Sequence, residues 1–308
     1  MENPMNADIR IGIIGADTSH VTAFTKLIND ASDPAHVPGG KVVACVPTFS
    51  PDWDKSFSRV EGFKKDLQEK YNVQLIDAIP AMLKQVDAVL LESVDGRRHL
   101  AELKQVVKAK CPVYIDKPFA ASLKDAKAMV KLLQKKGIPA WSASGLRFEA
   151  NLEKWLGEPH GRITGATTWG PAAIEAQQPG WYWYGIHAVE ELYRIMGPGC
   201  KRVRCAGSAQ GDVATGEWAD GRIGVVRGNR AGQSEFGAVI HCDDQIACIP
   251  RNKDVPLYAA LVRNIMKFFQ TRQAPVPLEE TLEIMAFIEA ANKSAATNGR
   301  PVELNTKL

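Results

Sequence analysis

The chain has 308 residues, of which 45% are apolar and 24% charged, and a formal net charge of +3. That length allows two domains with a core each, and the composition is that of an ordinary soluble globular protein. The near balance of charge, with no basic stripe, excludes nucleic acid as the main partner. No apolar run is long enough to span a membrane. The first eight residues are polar and hold no signal-peptide core, so the expected location is the cytoplasm. The six cysteines form no CxxC pair. The spacings of Cys200, Cys205, Cys242 and Cys248 do not match common zinc sites, Cys45 and Cys242 read as buried free thiols, and no metal is expected.

In chain order, residues 10–14 (Arg-Ile-Gly-Ile-Ile) form a compact strand. Gly15-Ala-Asp-Thr-Ser-His20 is a turn, and Val21, Phe24, Leu27 and Ile28 have helical spacing. Asp17, Thr18 and Ser19 are candidate N-caps. Strand, tight turn, helix is the opening of a dinucleotide-binding domain. It makes Gly12, Gly15, Ala16, Asp17, Thr18 and Ser19 the first candidates for holding a cofactor. The glycine fingerprint itself departs from Gly-x-Gly-x-x-Gly: counted from Gly15, its second position is Asp17 and its third is His20. A carboxylate there is expected to repel a pyrophosphate, while the helix N-terminus and the Thr18 and Ser19 hydroxyls can still hold an anion. The alternative for Asp17 is a helix cap. His20 either fills the helix–strand contact or faces the crevice.

Residues 41–46 are the second strand. The acid that would hold an adenosine ribose is missing after it, since Val46-Pro-Thr-Phe-Ser50 leads to no Asp or Glu before Asp52. A loop over 52–57, a helix over 60–71, short strands at 73–76 and 88–91 and a short helix at 79–83 follow. Ser93-Val-Asp-Gly-Arg-Arg-His99 opens the next helix. Val113, Tyr114 and Ile115 form a buried strand, and Lys117 stands at its C-terminal edge, followed by Pro118. A lysine held at that edge of a parallel sheet is a candidate acid, base or substrate clamp; the bland alternative is a solvated strand-end lysine. A helix over 123–136, capped by Ser122 and stopped by Gly137, and a strand over 139–143 complete a Rossmann-type doubly wound parallel sheet.

From about Arg147 the pattern changes. A strand over 163–169 and a helix over 187–196 stopped by Gly197-Pro198 precede β-type runs at 203–206, 223–227, 235–241 and 245–249. Gly228-Asn229 reads as a hairpin turn. Helices over 257–271 and 278–298 end the chain. The expected division is a dinucleotide-binding domain, 1–146, and an α+β domain, 147–308, with a mostly antiparallel sheet. One face of that sheet carries helices and the other is a candidate dimer surface. Trp181-Tyr-Trp-Tyr184 places four aromatics in a row, suited to stacking on sugar rings or to a core seam.

Taken together, these features resemble the Gfo/Idh/MocA family of sugar and polyol oxidoreductases. The resemblance rests on Ile11-Gly-Ile-Ile-Gly15, Ser93 to His99, Asp116-Lys-Pro118 in place of the family's Glu-Lys-Pro, Tyr184-Gly-Ile-His187, and Pro275-Val-Pro-Leu-Glu-Glu-Thr-Leu282. It implies an NAD(P)-dependent hydride transfer on a sugar, polyol or sugar acid, with Lys117 and His187 as catalytic residues flanking the substrate carbon. It further implies that Ser93, Asp116 and Lys117 join the cofactor residues and that Arg147, Trp181, Tyr182 and Tyr184 meet substrate. Arg147 binds a carboxylate in this reading or braces a domain contact, and His99 is structural. A homodimer or homotetramer is expected on the same ground. Where the family often has an aspartate four residues before the histidine, this chain has Trp183. Two other readings remain open: a non-redox member of the fold (a small-molecule-binding or regulatory protein, or a lyase or hydrolase), and a metal-dependent enzyme using Asp17, His20 and His99.

Overall fold

The strands that open the chain are buried on both faces, which is why they read as continuous apolar runs rather than alternating ones. The computed structural model describes residues 8–308; residues 1–7, part of the polar N-terminal stretch, lie outside the described residues. β1 (Ile9–Ile14) is buried from Ile11 onward, and β4 (Ala88–Leu91) and β5 (Val113–Ile115) are buried throughout. With β2 (Gly40–Val46), β3 (Gln74–Leu75) and β6 (Ala140–Trp141) they form a parallel sheet of order β3-β2-β1-β4-β5-β6. The strand order reverses between β1 and β4, and ligands of such sheets bind outside the C-terminal ends at that point.

The helices of this part are α1 (Ser19–Asn29), α2 (Asp54–Phe57), α3 (Val60–Tyr71), α4 (Ile79–Met82), α5 (Gly96–Val106) and α6 (Leu123–Lys136). α2 replaces the loop expected over 52–57; its only apolar residue, Phe57, is exposed, so no amphipathic pattern announces it. Ser122 caps α6 by accepting from the Asp125 amide at 3.1 Å, and Gly137 ends it with a left-handed φ of 63°.

The second sheet has the order β12-β11-β7-β10-β9-β8-β13 and comprises β7 (Ile163–Pro171), β8 (Cys200–Ser208), β9 (Gly211–Trp218), β10 (Ile223–Asn229), β11 (Gly237–Cys242), β12 (Ile246–Pro250) and β13 (Val302–Glu303). All its pairings are antiparallel except β7 with β10. α7 (Ala150–Leu156), α8 (Ile186–Met196), α9 (Leu257–Thr271) and α10 (Leu278–Ala296) complete the described helices. The expected turn at Gly228-Asn229 is instead the last part of β10, paired on both sides. Gly228 is needed there for closeness, since a Cβ would stand 2.5 Å from that of Ala172.

The chain forms two compact units. The first unites the stretch ending at Phe119 with Ala128–Ser142 and Tyr258–Pro277, so α9 packs with the parallel sheet. The second holds Ala120–Lys127, Ala143–Leu257 and Leu278–Leu308. No described helix is long and apolar enough to cross a membrane.

Candidate functional site

Register builds the site in the first unit. Ile14 of β1 lies beside Leu91 of β4, and Leu91 beside Ile115 of β5. The ladder continues one step, with the Glu92 amide donating to the Ile14 carbonyl at 2.7 Å and the Asp116 amide to the Leu91 carbonyl at 2.9 Å. Glu92 and Asp116 are therefore level at the C-terminal edge, on the same face of the pleat. His20, in the first turn of α1, completes the group. Its Nδ1 meets Asp116 Oδ2 at 2.7 Å and its Nε2 meets the Tyr258 hydroxyl at 3.1 Å. Lys117 follows Asp116, is 8% exposed, and is joined to Pro118 by a cis peptide bond.

These groups are charged residues in an apolar place, and their proton affinities shift accordingly. Burial raises the Glu92 carboxyl well above the usual carboxylate range; the Asp116 charge adds to this and Lys117 opposes it. Burial pulls Lys117 below its ordinary value against the attraction of Asp116 and Glu92. Burial also works against the charge on Asp116, but His20 and Lys117 outweigh it and hold that carboxyl low.

The turn between β1 and α1 corrects the expected role of Asp17. Its carboxylate is wholly buried and turned inward, accepting from the Val94 amide at 2.9 Å and the Ser56 hydroxyl at 2.5 Å. It neither caps α1, whose N-cap is Thr18 with no side-chain bond, nor presents its charge to a ligand at the helix end. Gly15, at φ 97°, lies so close to the end of β4 that a Cβ would stand 2.4 Å from the Ser93 nitrogen. Ala16 is buried and its amide donates to the Thr48 carbonyl. Gly12 packs within β1, where a Cβ would strike Met82 at 2.7 Å.

The loops after β2 and β4 are tied together. Thr48 and Ser93 hydroxyls are 3.0 Å apart, Ser50 donates to Asp95 at 2.6 Å, and Arg97 pairs with both Asp52 and Asp95. Ser93 also donates to Glu102 at 2.8 Å. His99 is buried between the Ser93 and Phe119 carbonyls, a structural position. Neither Asp17 nor His99 joins His20, so the expected trio of Asp17, His20 and His99 does not assemble. A dinucleotide's pyrophosphate fits the remaining features: a tight glycine turn, an eleven-residue helix with no acid in its first turn, and Thr18 and Ser19 at its start.

In the second unit, His187 Nδ1 meets the Ser144 hydroxyl at 2.6 Å, and its ring edges contact Tyr184 and Phe236. Ser144 thus gives His187 a hydrogen-bond partner in a chain that has Trp183, which is buried, four residues upstream. Arg147 is 6% exposed and engaged by two carboxylates, Glu190 at 3.1 Å and Glu280. It is an internal brace rather than a waiting carboxylate receptor. Burial raises Glu190 to about 7 against the pull of Arg147. Of the four aromatics, Trp181, Tyr182 and Trp183 are buried, with the Tyr182 hydroxyl on Glu289 at 3.1 Å, and Tyr184 is exposed. They do not alternate between core and surface, because Gly180–Tyr182 is a helical turn rather than an extended strand. Sequence reasoning missed Glu92, Ser144 and Tyr258. The available signal for Glu92 was an acid immediately after an all-apolar strand.

Residues 9–143 match the model of an oxidoreductase family described as having an NAD-binding Rossmann fold. No curated protein matches the chain significantly. Among solved structures, GenD2 from gentamicin A biosynthesis, in complex with NAD, is 16% identical with a TM-score of 0.77, over 99% of each chain. Scyllo-inositol dehydrogenase from Lactobacillus casei is 13% identical with a TM-score of 0.77, over 97% of this chain and 98% of that one. Myo-inositol 2-dehydrogenase from Lactobacillus plantarum is 15% identical with a TM-score of 0.76, over 97% and 100%. At such identities the likeness is one of fold.

Proposed function

We propose, from the premise that residues 9–143 belong to the Gfo/Idh/MocA oxidoreductase family, that the protein is an NAD(P)-dependent oxidoreductase of a sugar, polyol or sugar acid. The observation that carries the reading is Lys117: a buried lysine with a lowered pKa, just past the C-terminal end of β5, the strand beside β4 in the parallel sheet. A neutral amine there takes the hydroxyl proton of a substrate carbinol, and in the reverse direction its ammonium returns it. Thr18 and Ser19, at the start of α1, would hold the cofactor's pyrophosphate, and Gly15 keeps the turn tight. When bound, the nicotinamide supplies the hydride acceptor. His187, oriented by Ser144, is assigned as the second proton-handling group. Tyr184, exposed beside it, is assigned to substrate. The half-buried face of the second sheet is assigned to self-association as a dimer or tetramer.

The test is titration of the purified chain with NADH and with NADPH, followed by cofactor fluorescence. Saturable binding is expected. Lys117→Ala is expected to lower kcat on the true substrate by about 10²–10⁴ while cofactor affinity changes little. Wild-type turnover in that variant would sink the assignment. The ties of Thr48 to Ser93 and Ser50 to Asp95 favour a second reading, a non-redox small-molecule-binding protein or lyase on the same fold. They occupy polar groups beside the place of an adenosine ribose. No binding at millimolar cofactor would favour that reading.

A further inference from the structure

The edge of the first sheet carries more buried acid than proton transfer by Lys117 requires. Glu92 is wholly buried, and neither of its carboxylate oxygens has a hydrogen-bond partner among the described residues. A buried carboxyl left in that state is costly unless something else meets it. It does not point into an apolar void: one ligand atom each from His20, Glu92 and Asp116 lie within 4.8 Å of one another. Ligands about 2.0–2.2 Å from a common ion lie roughly 3–4 Å from each other, so small side-chain adjustments bring the three into a first coordination sphere. They come from three elements, the start of α1 and the ends of β4 and β5, and the ladder bonds at Glu92 and Asp116 hold two of them rigidly. Asp17 and Glu102 are also buried, and the fields of Asp17 and Asp116 both act on Glu92.

We propose that His20, Glu92 and Asp116 form a binding site for one divalent first-row transition cation, of the class of Mn²⁺, Fe²⁺, Co²⁺ or Zn²⁺. One imidazole and two carboxylates suit these ions, whereas calcium takes more oxygens and magnesium prefers to keep its waters. Lys117, next along the chain from Asp116, is the positive charge that the ion must compete with at the two carboxylates. The Tyr258 hydroxyl at His20 Nε2 orients the imidazole as an outer-shell partner orients a ligating histidine, and the ion replaces the direct contact between His20 Nδ1 and Asp116. Three protein ligands leave coordination positions for oxygen donors of a small molecule. The site stands independently of nicotinamide binding, and failure of the NADH titration leaves it intact.

The experiment is calorimetric titration of the full chain, dialysed against chelator, with ZnCl₂ and with MnCl₂, and with MgCl₂ for comparison. One equivalent of Zn²⁺ or Mn²⁺ is expected per chain, with Mg²⁺ much weaker. Glu92→Gln and His20→Gln are each expected to weaken binding at least about tenfold. Absence of saturable binding below about 1 mM, or binding unchanged in both variants, would overturn the proposal. Circular dichroism checks that the variants fold. Should either not fold, pulsed EPR of Mn²⁺ on the wild-type chain decides: coupling to one imidazole nitrogen supports the site, and a signal from water ligands alone overturns it.

Discussion

Glu191 is the residue whose environment is most at odds with its charge in the second unit. It is 1% exposed, its Oε2 has no hydrogen-bond partner among the described residues, and burial, with the nearby Glu149 charge, raises it from 4.5 to about 8. Between those values the folded chain keeps a proton on Glu191 that the unfolded chain has released. Stability therefore falls as pH rises from about 4.5 toward about 8, and the deficit is full above that range. Glu191→Gln has the same shape and cannot ionise. Its Tm should match the wild type near pH 5 and exceed it by several degrees near pH 8.5, the difference growing with pH. Scanning calorimetry of the two proteins across that range checks this, and a difference independent of pH would count against it. Lys117 illustrates the same physics in a useful form, since burial makes its amine available as a base and its two acidic neighbours limit the shift.

At the scale of the element, the turn between β1 and α1 is organised around Asp17, which stands where an ordinary fingerprint has a glycine. A glycine there would let a phosphate approach; Asp17 instead bonds the turn to α2, through the Ser56 hydroxyl, and to the loop after β4, through the Val94 amide. Removing the carboxylate leaves a buried amide unpaired, at a cost of about 1–3 kcal/mol. Asp17→Ala should therefore lower Tm by several degrees, read by thermal denaturation, rather than simply open the turn to cofactor. An unchanged Tm would show that the inward bonds contribute little. The same turn depends on Gly15, because any side chain would collide with the backbone at Ser93.

At the scale of the whole molecule, the second sheet is covered on one face only within its own unit. Thr168 donates to the Ala188 carbonyl of α8 at 2.8 Å, and the Cys205 amide donates to the Ser294 hydroxyl of α10 at 2.8 Å. On the opposite face, Thr215, Val225, Thr167, Val239 and Cys248 form a continuous row through the registers of β9, β10, β7, β11 and β12. The two valines of that row are half-buried and Cys248 is exposed. A dimer or tetramer is the expected state, and Val225→Glu should shift it toward monomer. Light scattering behind size-exclusion chromatography reads both, and a wild-type monomer at about 10 µM would remove the assignment.

The sequence by itself determined what depends on near neighbours. The apolar runs of β1, β4 and β5, the helical spacing of Val21, Phe24, Leu27 and Ile28, Ser122 as a cap and Gly137 as a stop are local signals, and each marks the element found there. They fixed a doubly wound sheet followed by a mostly antiparallel one, and set Lys117 at a strand end. β9 escaped because its two glycines and an alanine weaken the strand signal, and β13 because it has two residues. The tertiary structure alone decided which distant side chains meet. His20 and Asp116 are 96 residues apart and Ser144 and His187 are 43 apart. Asp17 is indistinguishable in sequence from a cap or an exposed acid until Val94 and Ser56 are seen bonded to it. Periodicity encodes which face of an element is buried, whereas ladder register and turn geometry, set by the whole packed sheet, bring Glu92 level with Asp116.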